Sequence, residues 1–258
     1  MAKIDEVNKI INESGNSFHC KVTNYLKEKG WCTMVSPYYM DGSTNKPREI
    51  DLIIEKAWEY TDRWNDKYGT INIKLFIECK YIPQPNVFWF SHKDMISTRK
   101  WLINNTPLPE NNTFTEQHHY LTSDNKVAKL FASKNKPHVE NEVIYKALNQ
   151  SLNAMVYLRR QESILPVEPR RNNNILATIE LPLILCNSFE KFYRVEMEDA
   201  TNPEQIQDNF QLEVNYAYLD HNKNNRNEFF LIDIVSFECI DNFLSQLEKD
   251  IEVIRQVI

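Results

Sequence analysis

The segment Ile71-Asn-Ile-Lys-Leu-Phe-Ile-Glu-Cys-Lys-Tyr-Ile82 constrains the fold more than any other, because its apolar residues fall on alternate positions. Ile71, Ile73, Leu75, Ile77 and Cys79 point one way from an extended strand, and Asn72, Lys74, Phe76, Glu78 and Lys80 point the other. A second strand candidate, Glu49–Glu55 extending to about Trp58, precedes it across the polar turn region Asp62–Gly69. The pair reads as an antiparallel hairpin. Paired positions in such a hairpin share a constant residue-number sum; a turn centred near residues 64 and 65 sets it at about 129 and puts Asp51 opposite Glu78. Directly opposed Cβ atoms are only about 5 Å apart, and two carboxylates that close repel unless a cation lies between them.

Around this hairpin the chain alternates helices and strands. Ile4, Val7, Ile10, Ile11, Phe18, Val22, Tyr25 and Leu26 predict one long helix over 4–29, weakened at Gly15 and stopped at Gly30. A short apolar segment, Trp31–Val35, follows, then a turn-rich stretch from Ser36 to Pro47. After the hairpin the aromatic run Val87–Phe90 precedes a short helix near 93–103. A polar excursion over about 104–138 carries one further short helix near 125–133. A strong helix over 139–162 leads through a Pro- and Asn-rich linker to strands at Ile175–Leu185, Phe192–Met197, Leu212–Leu219 and Phe229–Phe237, and a helix closes the chain from about Asp241 to Val257. The pattern predicts one α/β domain over 1–258: a three-layer α/β/α sandwich around a mixed sheet, with an antiparallel meander and an acidic, β-rich part over 175–258.

Composition removes several chemistries. The four glycines, at 15, 30, 42 and 69, never cluster as a phosphate-cradling loop requires, which argues against P-loop and Rossmann nucleotide sites. Five scattered cysteines, with no C-x-x-C pair, read as reduced thiols of a cytoplasmic protein. The N-terminus has no secretory pattern, and no apolar run approaches the roughly 18 residues of a membrane span, so no membrane partner is expected. His118-His119 has no His or Cys partner at zinc spacing. Phe88-Trp-Phe90 reads first as packing, with base stacking the alternative.

Asp51 and Glu78 offer hard oxygen ligands suited to Mg²⁺, with Mn²⁺ as a substitute. Lys80 shares the face of Glu78, placed to hold or deprotonate an attacking water. Glu78-Cys-Lys80 is the one E-x-K triplet in the chain; the one D-x-K, Asp124-Asn-Lys126, lies in the polar excursion. The order of long helix, Asp at a strand start, turn, and E-x-K ending an apolar strand resembles the PD-(D/E)XK nuclease superfamily, in its restriction-endonuclease and Holliday-junction-resolvase branches. The resemblance covers about residues 15–82 and, more loosely, the helix at 139–162. It implies a core of helix, three-stranded antiparallel meander, helix and strand. It also implies a Mg²⁺-dependent endonuclease acting on DNA, as a homodimer or with partner subunits, in a restriction or defence setting. Asp51 and Glu78 would bind the metal with the Cys79 carbonyl, Lys80 would position water, and Gln150 would match a Gln some relatives carry. Two departures stand out: Ile50 replaces the Pro before the Asp, and Phe18-His19 replaces a Phe-Glu pair, leaving His19 or Glu13 as possible first-helix contributors. An RNA-directed nuclease, or a nuclease-fold module that binds nucleic acid or protein without cutting, are the alternatives.

The net charge of −6 argues on its face against nucleic acid, but it is a sum over a gradient. Residues 1–174 carry a net +4 and residues 175–258 a net −10. The nuclease-like part is mildly basic, and DNA would lie over the Lys- and Arg-bearing face near residues 46–136.

Overall fold

Strict alternation builds the central strand of the molecule. In chain order the elements are α1 (Ile4–Glu13), α2 (Asn16–Glu28), β1 (Cys32–Val35), β2 (Tyr38–Asp41), β3 (Lys46–Glu49), β4 (Leu52–Thr61), β5 (Tyr68–Lys80), β6 (Asn86–His92), α3 (Met95–Asn105), α4 (His119–Thr122), β7 (Lys126–Ser133), α5 (Val143–Leu158), β8 (Ile175–Cys186), β9 (Phe192–Glu196), β10 (Glu204–Gln205), β11 (Phe210–Leu219), β12 (Asn225–Ser236) and α6 (Ile240–Arg255). The structure, a computed structural model, describes residues 4–13, 15–42, 44–61, 68–122, 125–133, 142–159, 161, 163–165, 175–199, 201–220 and 222–258. The predicted turn centre and most of the Pro- and Asn-rich linker lie outside these residues.

Ten strands form one mixed sheet in the order β1-β4-β5-β8-β12-β11-β7-β6-β9-β10, and β2 and β3 form a separate hairpin. β4 and β5 pair antiparallel from Leu52 opposite Ile77 to Thr61 opposite Tyr68, which is the register with sum 129. β1 pairs antiparallel with β4, completing a three-stranded meander. On its other side β5 pairs parallel with β8, along a ladder that ends at Lys80 opposite Cys186. The parallel return to β8 needs a crossover, and α5 supplies its last leg.

Helices on both faces make this a three-layer α/β/α sandwich. α5 lies on the face of Asn72, Phe76 and Glu78, where Ser151 Oγ donates to Phe76 O (2.9 Å) and Tyr216 Oη donates to Asn153 (2.8 Å). α2 and α6 lie on the opposite face and touch each other where Tyr25 Oη donates to Asp241 (2.5 Å). Because β5 is central, both of its faces are buried: Ile71, Ile73, Leu75 and Ile77 on one, Asn72, Lys74, Phe76 and Glu78 on the other. Polar residues in such a position need partners. Glu55, fully buried on β4, accepts from Asn72 Nδ2 (3.0 Å), Ser163 Oγ (2.8 Å) and Ile164 N–H (2.8 Å).

Three local expectations are corrected. The single helix over 4–29 is two, because the chain breaks beside Gly15, where a glycine costs helix about 1 kcal/mol. The turn-rich stretch from Ser36 contains the β2–β3 hairpin, whose alternate residues Tyr39 and Asp41 are buried. The short helix near 125–133 is strand β7: it pairs with β6, setting Phe131 opposite Phe88, and this cross-strand packing overrides a weak helical spacing. The aromatic run itself forms β6, and Phe88 and Phe90 pack in the core against Phe210.

Candidate active site

Asp51 sits where the β2–β3 hairpin returns to the sheet. Ser36, in a left-handed conformation (φ 51°), donates its N–H to Asp51 O (2.9 Å), and Ile50 N–H donates to Pro37 O (3.2 Å). These two bonds cross-brace the corner and present the Asp51 side chain to β5. There the Cys79 N–H donates to Asp51 Oδ2 (2.8 Å), so the carboxylate continues the ladder one step beyond the end of β4. Asp51 Oδ1 takes no hydrogen bond among the described residues.

Glu78 is fully buried, with its Oε1 facing the Asp51 N–H (3.4 Å). Lys80 Nζ lies 2.5 Å from Glu78 Oε2 and 3.6 Å from Asp51 Oδ2. One ammonium thus stands between two carboxylates at the mouth of the meander. Burial raises the Glu78 carboxyl to about 8, with Asp51 adding to the rise against the pull of Lys80. Burial alone would lower the Lys80 ammonium, but the carboxylates of Glu78 and Asp51 outweigh it and hold it above its ordinary value. The Cys79 and Cys186 thiols are both pushed up by burial, which disfavours the thiolate at either.

The other sequence candidates fall apart from this group. His19, half-buried on α2, acts on Glu49, whose carboxyl is held low first by Ser36 and Tyr38 and then by His19. The Glu13 side chain lies outside what the structure describes. Gln150 is half-buried on α5 beside the Ser151 that anchors to Phe76, and among the described residues it makes no hydrogen bond to Asp51, Glu78 or Lys80. One neighbour went unread in the sequence. Tyr39, buried on β2, stacks on Tyr157 of α5 (ring centroids 6.2 Å, 24° between planes), and its phenol is raised by burial and then by the nearby Glu78 charge. The alternating Tyr38, Tyr39, Met40 and Asp41 were its only trace, inside a stretch that reads as turns.

A second cluster lies on the opposite face of the sheet. His118, His119 and Asp250 are buried, offer ligand atoms within 4.8 Å of one another, and can coordinate a metal ion. His119 Nδ1 contacts Asp250 Oδ2, and the His119 N–H donates to Asp250 Oδ1 (3.0 Å). His118 Nε2 lies 3.7 Å from Asp250 Oδ2 and His119 Nε2 lies 3.6 Å from Asp233 Oδ2, whose carboxylate accepts from Tyr120 Oη (2.8 Å). Burial pushes His118 down to about 4. For His119 burial also opposes the charged form, but Asp250 and Asp233 overcome it and raise the ring to about 10. Asp233 shares a row with Leu183 and Ile77 across two ladders, and alternation turns Ile77 away from Glu78. The two clusters therefore face opposite sides of the sheet, two strand spacings, or about 10 Å, apart along it. The sequence signals were an Asp on the apolar stripe of α6, among Leu247, Ile251 and Ile254, and an Asp inside the apolar run of β12.

Comparison with protein-family models, with curated proteins and with solved structures returns no match. No described helix is long and apolar enough to cross a membrane.

Proposed function

We propose that the chain is a Mg²⁺-dependent endonuclease that hydrolyses DNA phosphodiester bonds at Asp51, Glu78 and Lys80. One observation carries the reading: two carboxylates and one lysine converge at the end of an antiparallel meander. The order α2, meander, α5 and parallel β8 supports it, because it is the core arrangement that the resemblance to PD-(D/E)XK nucleases implies. The donor set fits the metal, since carboxylate oxygens suit Mg²⁺ or Mn²⁺, and the carboxylates of Asp51 and Glu78 converge on one point beside Lys80. Burial makes the Glu78 carboxylate costly even with Lys80 beside it, which favours further positive charge placed there.

Bound by Asp51 and Glu78, with the Cys79 carbonyl available as a third ligand, such an ion would polarise water and offset phosphate charge. The chain's own residues do the rest. Lys80, held by both carboxylates, keeps a proton and a positive charge at the point where a phosphate oxygen would gain negative charge. The braces at Ser36 and Pro37 hold Asp51 in place, and the β8 ladder holds Glu78 and Lys80. On β3, Lys46 and Arg48 are exposed just before Asp51, where a nucleic-acid backbone would approach.

Plasmid nicking in Mg²⁺, with EDTA as control, tests the proposal. Wild type converts supercoiled DNA and Lys80→Ala does not, while both give the same circular dichroism. Equal nicking by the two proteins sinks the assignment. A non-catalytic module is the second reading, favoured by His19 standing where the resemblance implies a first-helix Glu, which leaves no first-helix carboxylate at the site among the described residues. Mn²⁺ calorimetry separates the two: a catalytic site binds the ion and loses it in Asp51→Ala, whereas a retired one gives no heat.

A further inference from the structure

We propose that His118, His119 and Asp250 form a second, structural metal site that takes a divalent ion of the zinc class and clamps the 118–120 segment to α6 and the sheet. The inference stands independently of the nuclease reading, because the cluster faces the other side of the sheet from Glu78.

Four observations carry it. The first is the donor set: two imidazoles and a carboxylate suit zinc, in contrast to the all-oxygen character of Asp51 and Glu78. The second is spacing. Bonds of about 2.1 Å to a tetrahedral ion place ligand atoms about 3.4 Å apart, and His118 Nε2 and Asp250 Oδ2 stand at 3.7 Å. The third is charge. His118, His119, Asp233 and Asp250 are all more than nine-tenths buried. Two carboxylates, Asp233 and Asp250, are thus held in the interior beside the two rings, where positive charge is favoured. A divalent ion balances both carboxylates while the two imidazoles stay neutral. The fourth is an orphan: among the described residues His119 Nε2 is buried with no hydrogen-bond partner, 3.6 Å from Asp233. A metal-ligating histidine turns its second ring nitrogen toward a carboxylate in this way, and Tyr120 Oη holds that carboxylate in place.

Loading the site exchanges protons for the ion. The proton between His119 Nδ1 and Asp250 leaves to solvent, and the His119 ring draws back to ligand spacing. His118 ligates through Nε2 and carries its proton on Nδ1, giving up the 3.3 Å contact from the Tyr120 N–H. The ion then joins three parts of the chain: the segment entering α4, the middle of α6 and, through Asp233, strand β12.

The test is metal content and cobalt spectroscopy on the full chain. Protein from zinc-supplemented culture should carry about one equivalent of zinc. The ion should be absent from His118→Gln and Asp250→Asn, and retained in Asp51→Ala and Lys80→Ala. Stripped wild type should take up Co²⁺ with visible bands of a nitrogen- and oxygen-ligated site, and regain its melting temperature. Should Asp250→Asn fail to fold, His118→Gln and the wild-type cobalt spectrum still decide. Wild type that is metal-free as purified and takes up neither Zn²⁺ nor Co²⁺ overturns the proposal, as does zinc retained by His118→Gln.

Discussion

Replacing Glu78 with Gln should make the metal-free protein more stable, and by an amount that depends on pH. The carboxyl is fully buried, and its folded-state pKa of about 8 stands above its ordinary value of 4.5. A carboxyl raised in this way binds its proton more tightly in the folded chain than in the unfolded one. Its favourable contribution is complete below about pH 4.5 and is lost as pH rises through 8. At about 1.4 kcal/mol per unit, the gap amounts to roughly 4–5 kcal/mol. Gln keeps the shape and cannot ionise, so it escapes the loss but gives up part of the bond to Lys80. In urea titrations with EDTA, Glu78→Gln should exceed wild type by about 2–4 kcal/mol at pH 8 and match it within about 1 kcal/mol at pH 5. Mg²⁺ should close the gap at pH 8 by stabilising wild type alone. A variant less stable than wild type at pH 8, or a difference equal at both pH values, refutes the reasoning.

Other substitutions probe separate parts of the argument. Lys80→Ala should lose at least about 100-fold in Mg²⁺-dependent nicking, the scale of one fixed group that stabilises transition-state charge, as read by gel assay against DNA concentration. Glu55→Ala strips a buried carboxylate that anchors Ser163 and Ile164 to β4 and should cost about 3 kcal/mol or more in chemical denaturation. Gly42→Ala places a Cβ 2.8 Å from the Tyr157 ring, itself stacked on Tyr39, and should cost about 1–3 kcal/mol with a shift in tyrosine fluorescence.

The hairpin register was legible because two local signals agreed, the alternation of Ile71–Ile82 and the polar residues before it. Together they place Asp51 beside Glu78 without any tertiary information, and the structure pairs β4 with β5 in that register. Helix α5 and strands β8, β9, β11 and β12 were legible for the same reason, since their apolar periods are long. What escaped depends on distant partners. Strand β7 exists because β6 offers Phe88 opposite Phe131, a pairing that no window around residues 125–133 contains. Asp250 lies 131 residues from His119, so the His118-His119 pair looked solitary in a polar stretch. Tyr39 comes to Glu78 through a hairpin whose strands are four residues each, too short for a period to register.

The position of β5 between an antiparallel and a parallel neighbour bears on which parts of the chain can change length. Two ladders hold the strand, so its alignment does not rest on the connection from Thr61 to Tyr68. Extra residues in that connection would leave both ladders in register and Asp51 facing Glu78. One extra residue inside β5 before Glu78 would invert the inward and outward sets: Glu78 would turn toward the α2 and α6 layer and Ile77 toward Asp51. Length variation and chemistry are thereby kept on separate stretches of the same hairpin, one free to drift and the other held in step by its neighbours on either side.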